Sequence, residues 1–173
     1  MRRRFLDSRS FPKSLEEAAR LSYNYHMASS HVQNECEKWI IESWLPEKFG
    51  IEFERQRVRM QNRGHFEFDA VSPDKKIIGN ISTASAYTHR GSLGSGKRSK
   101  LRADCLMLAL ATAERKLMIL TESCMYEVAL KEQEEGRLPL DIEFHRVELP
   151  EVLKQKLVIS KDEASKEVRG KST

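Results

Sequence analysis

Residues 64 to 83 constrain this chain more than any other stretch. Gly64-His65-Phe66-Glu67-Phe68-Asp69-Ala70-Val71 alternates in polarity, the turn residues Ser72-Pro73-Asp74-Lys75 follow, and Lys76-Ile77-Ile78-Gly79-Asn80-Ile81-Ser82-Thr83 returns. Alternation with period two marks a half-buried strand, and Pro-Asp supplies the turn that lets a second strand come back antiparallel. This spacing puts Phe66, Phe68 and Ala70 on one face and Glu67, Asp69 and Val71 on the other, while Ile78, Asn80 and Ser82 share a face of the second strand. Antiparallel pairing then brings Asn80 and Ser82 within reach of Asp69, so the hairpin is a candidate site.

The flanking sequence supplies helices and further strands. Ser14-Leu15-Glu16-Glu17 reads as a helix start, with Ser14 as N-cap and the glutamates complementing the dipole. A second helix is predicted over 32 to 44, ended by Pro46; Cys36, Ile40, Ile41 and Trp44 form its apolar face, and Glu37 lies on the same side while Glu35 and Glu42 point away. Residues 51 to 60 read as a strand whose Arg55, Arg57 and Arg59 share one face, as edge protection or as a nucleic-acid contact. With the turn Gln61-Asn62-Arg63-Gly64, the strands 51 to 60, 65 to 71 and 76 to 84 form a meander. Then follow a helix over 101 to 113, a strand over 116 to 121, a helix over 126 to 135, a strand over 141 to 149 and a short helix over 151 to 157.

Asp69 in Glu67-Phe68-Asp69-Ala70-Val71, followed by Asn80-Ile81-Ser82 on the returning strand, resembles the paired motifs of the PD-(D/E)XK nuclease superfamily. That resemblance implies an α/β fold with a restriction-endonuclease-like three-layer core, in the order helix, three-strand meander, helix, strand, helix, strand. It further implies a metal-dependent phosphodiesterase centre, with Mg²⁺ held by Asp69, Glu37 and the residue at Asn80. The sequence departs from the family pattern twice, for Asn80 stands where an acid is expected and Ser82 where the water-activating lysine is expected. An amide lacks the charge that holds Mg²⁺, and loss of a positioned acid or base costs about 10² to 10⁴ in rate. Weak or absent Mg²⁺ binding follows, with Asp69, Glu37, Asn80, Ser82 and Lys97 as the catalytic candidates and Lys97 or Lys100 as replacements for the missing lysine.

Between the meander and the next helix runs Thr88-His89-Arg90-Gly91-Ser92-Leu93-Gly94-Ser95-Gly96-Lys97-Arg98-Ser99-Lys100-Leu101-Arg102, which carries Arg90, Lys97, Arg98, Lys100 and Arg102 without an acid. Such a loop suits phosphates, and these five residues are the predicted nucleic-acid contacts. Gly91 to Lys97 also approximates a P-loop, but Arg98 replaces the Ser or Thr that would ligate Mg²⁺. The function expected is therefore nucleic-acid binding, DNA before RNA, or a protein-interaction role with an impaired nuclease centre. A divergent Mg²⁺-dependent endonuclease is the alternative, and a small NTPase comes third.

Composition sets the outer bounds. A chain of 173 residues with 39% hydrophobic side chains suffices for one real core, and 30 basic against 26 acidic residues make it mildly basic. The division expected is an arm and peripheral helix over 1 to 30, a core domain over 31 to 158 and a mobile charged tail over 159 to 173. Cys36, Cys105 and Cys124 are widely spaced and odd in number, which points to reduced thiols. No apolar run approaches a membrane span or a signal peptide, so a cytoplasmic protein without a membrane partner is expected. A homodimer or larger assembly is left open.

Overall fold

The computed structural model describes residues 31–61, 63–88 and 91–170, with side chains through residue 162. The basic segment and helix start expected before residue 31 lie outside the described residues. Five strands make one mixed sheet whose spatial order follows the chain: β1 (Glu54–Arg59), β2 (His65–Val71), β3 (Ile77–Ser82), β4 (Arg115–Leu120) and β5 (Ile142–Arg146). The first three are an antiparallel meander, and β4 and β5 then add in parallel to β3. Parallel neighbours need a crossover, and helices α2 (Ser95–Leu110) and α3 (Ser123–Glu134) provide the two.

Apolar side chains leave the sheet in both directions. Phe68, Val71, Ile78, Met118 and Leu120 pack with Leu108 of α2 and Met125 of α3. On the reverse side Ala70, Ile81, Leu117 and Ile119 meet Cys36, Ile40 and Leu45 of the first described helix, α1 (residues 31 to 49), and Leu157 of α4 (Glu151–Gly170). Strand β4 sends Leu117 and Ile119 one way and Met118 and Leu120 the other, all buried, as a strand covered on both faces must. Each such side chain contributes about 1.5–3 kcal/mol from burial.

Three boundaries differ from the sequence reading for identifiable reasons. Helix α1 continues past Trp44, because a π-helical segment at Ile40–Trp44 precedes the closing turn Leu45–Phe49. A proline inside a helix lacks a donor and collides with the carbonyl four residues back; the widened turn relieves this, and Pro46 falls in the first turn of the closing segment. Gly50, at φ 72°, then ends the helix in the left-handed conformation. Helix α2 begins at Ser95 rather than 101, since Gly94 is extended and supplies the N-cap position. The last helix, expected over 151 to 157, continues through Gly170, with Ser160 buried and Lys161 reaching Glu122 at 2.5 Å.

All three cysteines are free thiols, Cys36 and Cys105 buried and Cys124 partly so. Among the described residues no helix is long and apolar enough to cross a membrane.

Candidate acid centre

The site is made by an irregularity in the pairing of β1 with β2. Glu54 pairs with Val71, yet the next pair is Gln56 with Phe68, so Arg55 alone stands opposite both Asp69 and Ala70. Such a bulge interrupts alternation and re-aims a side chain. Phe66, Phe68 and Val71 consequently pack toward α2 and α3, whereas Ala70 packs toward α1. The strict alternation expected from the sequence, with Ala70 beside Phe68 and Val71 beside Asp69, is corrected by that one extra residue.

The ladder from β2 to β3 holds only the pairs Ala70 with Gly79 and Val71 with Ile78. Beyond it the Asp69 carboxylate takes over, its Oδ2 accepting a hydrogen bond from the Ile81 amide at 2.9 Å. The other oxygen, Oδ1, lies 3.0 Å from Arg55 Nη2, and that same nitrogen donates to Glu37 Oε2 at 2.6 Å. One guanidinium nitrogen thus joins a carboxylate from helix α1 to a carboxylate from strand β2. Val58 of β1 belongs to the α2–α3 core, so Arg55, three residues before it, projects to the α1 side and can make this crossing.

Burial outweighs the arginine in setting the charge of both acids. The pKa of Asp69 is raised by desolvation first, against the Ile81 amide and Arg55, with Asp104 adding to the rise and Lys100 opposing it. Glu37 is likewise raised by desolvation and then by Asp69, against Arg55 and Lys100. Two partly buried carboxylates held above their ordinary range beside cations are characteristic of functional sites, though ion-pair networks also produce them.

The remaining candidates are placed differently. Asn80 is buried, and its amide donates to the Asp104 carbonyl at 3.4 Å. Ser82 Oγ accepts from the Ala84 amide at 3.3 Å, a local turn bond. Lys97 donates to the Tyr87 carbonyl at 2.7 Å and so ties the preceding loop to the helix. Asn80, Ser82 and Lys97 are thus bonded elsewhere, while Asp69 meets Arg55 and the Ile81 amide. Lys100, paired with Asp104 at 2.7 Å, is the lysine whose charge acts on both Glu37 and Asp69. Sequence reasoning missed Arg55 as a member of the site, for its only sequence signal was membership in the alternating Arg55, Arg57, Arg59 row.

The predicted phosphate contacts are largely engaged within the protein. Arg90 lies outside the described residues. Arg102 places both Nε and Nη2 on Glu132 Oε2, at 2.7 and 2.5 Å, and Arg98 approaches Oε1 at 3.9 Å. The loop ahead of α2 closes on itself, with the Thr88 amide donating to the Ser92 carbonyl and Gly91 to that of Thr88. The strand preceding this near P-loop, β3, belongs to the antiparallel meander as well as to the parallel half of the sheet.

Mg²⁺ requires oxygen ligands at about 2.0–2.1 Å in near-octahedral geometry. Here the position between Glu37 and Asp69 is filled by a guanidinium, Asn80 is turned to a main-chain carbonyl, and among the described residues no three His, Cys, Asp or Glu side chains are grouped to hold a metal. The side chains as arranged do not fit the ion. Compared with known protein families, curated proteins and solved structures, the chain matches none.

Proposed function

We propose that this chain is a nucleic-acid-binding protein on a restriction-endonuclease-like frame, with a centre that hydrolyses phosphodiesters slowly or not at all. Support for the frame comes from the element order, helix, meander, helix, strand, helix, strand, and from an acid on the first core helix meeting an acid on the second strand. The observation that carries the binding role is the arginine row on β1. Arg57 and Arg59 share the face of Arg55, are exposed, and with exposed Arg63 in the adjoining turn have no ion pair among the described residues. Their cross-strand neighbours are Glu67 and His65, so the ribbon is basic on balance.

Charge on an edge strand also prevents sheet-to-sheet pairing. Binding distinguishes the two roles. Fluorescence anisotropy with duplex and single-stranded DNA at low salt should show association, with a slope of log K against log salt of about −3 if three arginines engage duplex phosphates. Arg57→Ala, Arg59→Ala and Arg63→Ala together should flatten the slope toward zero, while Lys97→Ala with Lys100→Ala measures what the loop adds. No association with either probe, or unchanged association by the ribbon variant, overturns the assignment.

A Mg²⁺-dependent endonuclease is the second reading, favoured by Lys100 acting on both acids. It expects supercoiled plasmid to be nicked in Mg²⁺ and the nicking to vanish in Asp69→Asn.

A further inference from the structure

We propose that Arg55 is the resident cation of the acid centre, standing in the place that a divalent metal takes in the nucleases this chain resembles. This goes beyond the nucleic-acid reading and holds whether or not the ribbon binds phosphates.

The argument is one of position and charge. Glu37 Oε2 and Asp69 Oδ1 converge on a single nitrogen, Arg55 Nη2, at 2.6 and 3.0 Å. These are hydrogen-bond lengths, at least about half an ångström beyond what Mg²⁺ requires, so as arranged the pair is spaced for a guanidinium. The fold builds that contact deliberately in three places. The bulge sets Asp69 and Ala70 together opposite one residue of β1, that lone residue is the arginine itself, and the Ile81 amide fixes the second oxygen of Asp69. Arginine is well suited to this post, since its charge persists at any relevant pH and its planar fork can meet two carboxylates. A third carboxylate is missing, because Asn80 is neutral and its Nδ2 donates to the Asp104 carbonyl. A centre balanced by a covalently attached cation needs no metal to be assembled, and metal entry would require displacing it.

The experiment uses the whole chain without nucleic acid. Melting temperature is read in EDTA and in millimolar Mn²⁺, and Mn²⁺ affinity by isothermal titration calorimetry, for the parent, Arg55→Ala, Arg55→Gln and Arg55→Ala with Asp69→Asn. The parent should melt alike in EDTA and Mn²⁺. Arg55→Ala should gain at least about tenfold in Mn²⁺ affinity and melt higher with the ion, and adding Asp69→Asn should abolish the gain. If Arg55→Ala does not fold in EDTA, recovery in Mn²⁺, or the same gain in Arg55→Gln, supports the assignment. Tight Mn²⁺ binding by the parent, no gain in either folded variant, or failure of both variants to fold even with Mn²⁺ overturns it. None of these readouts depends on DNA, so failure here is separable from failure of the binding role.

Discussion

Replacing Glu132 by Gln tests whether two of the arginines expected to contact phosphate are framework instead. Glu132 of α3 is 2% exposed, but its carboxylate is covered by guanidiniums rather than sunk among apolar groups: Arg102 from α2, Arg137 from the loop after α3 at 3.0 Å, and Arg98 at 3.9 Å. Hydrogen bonds to charged groups contribute about 1.5–3 kcal/mol each when both partners are desolvated. The three guanidiniums retain 34 to 46% exposure and recover much of their hydration once the carboxylate is gone, so the close Arg102 and Arg137 contacts must be discounted. Glu132→Gln should therefore cost about 2–3 kcal/mol, or roughly 5–10 °C in melting temperature for a chain of this length.

The pH dependence sharpens this test. Desolvation, the largest influence, raises the Glu132 pKa, but the bonds from Arg102 and Arg137 outweigh it and the net shift is downward from 4.5. A carboxylate depressed in the folded state contributes stability above its unfolded pKa and loses it as pH falls through the folded value. The gap between parent and variant, read by urea denaturation, should be widest near neutrality and shrink below the ordinary carboxylate range. A gap under about 0.5 kcal/mol at neutral pH, or one that does not narrow on acidification, refutes the reasoning. Freed guanidiniums should also raise low-salt DNA affinity in the variant, if α2 lies near the bound phosphates.

The acid pair should show the opposite pH trend. Asp69 and Glu37 are raised above 3.8 and 4.5, so their contribution is full below those values and falls as pH rises through the raised ones. Stability of Glu37→Gln with Asp69→Asn relative to the parent should accordingly improve with rising pH, and carboxyl ¹³C titration should place both groups high; values below the ordinary ones would contradict the burial argument. At Gly79, between β2 and β4, an added Cβ would sit 3.3 Å from both the Leu117 Cβ and its carbonyl oxygen. The β3–β4 ladder leaves little room to yield, so Gly79→Ala should cost about 1–3 kcal/mol by chemical denaturation, whereas chain entropy alone predicts a gain.

Sequence by itself determined the kinds of element and their order. Period-two alternation, the Ser72 to Lys75 turn and the apolar run through β4 are local signals, and the mixed sheet with its meander follows from them. Glu37 and Asp69 were joined as a pair by the resemblance to the nuclease superfamily, since periodicity only put one on the apolar side of a helix and the other on a patterned strand. Tertiary structure decided what lies between them. A bulge depends on how a partner strand pairs, so no reading of β2 alone reveals that Ala70 and Val71 change sides. Arg55 and Glu37 are 18 residues apart, Arg102 and Glu132 are 30 apart, and the sequence offers each arginine several equally plausible acids. The same basic row can serve as edge protection, phosphate contact or counter-ion; only the meeting of α1 with the bulged pair of strands gives the exposed Arg55 two acids and leaves Arg57 and Arg59 without an ion pair among the described residues. Long-range electrostatic pairing is selected by backbone geometry, which is why it became visible only once the strands were in register.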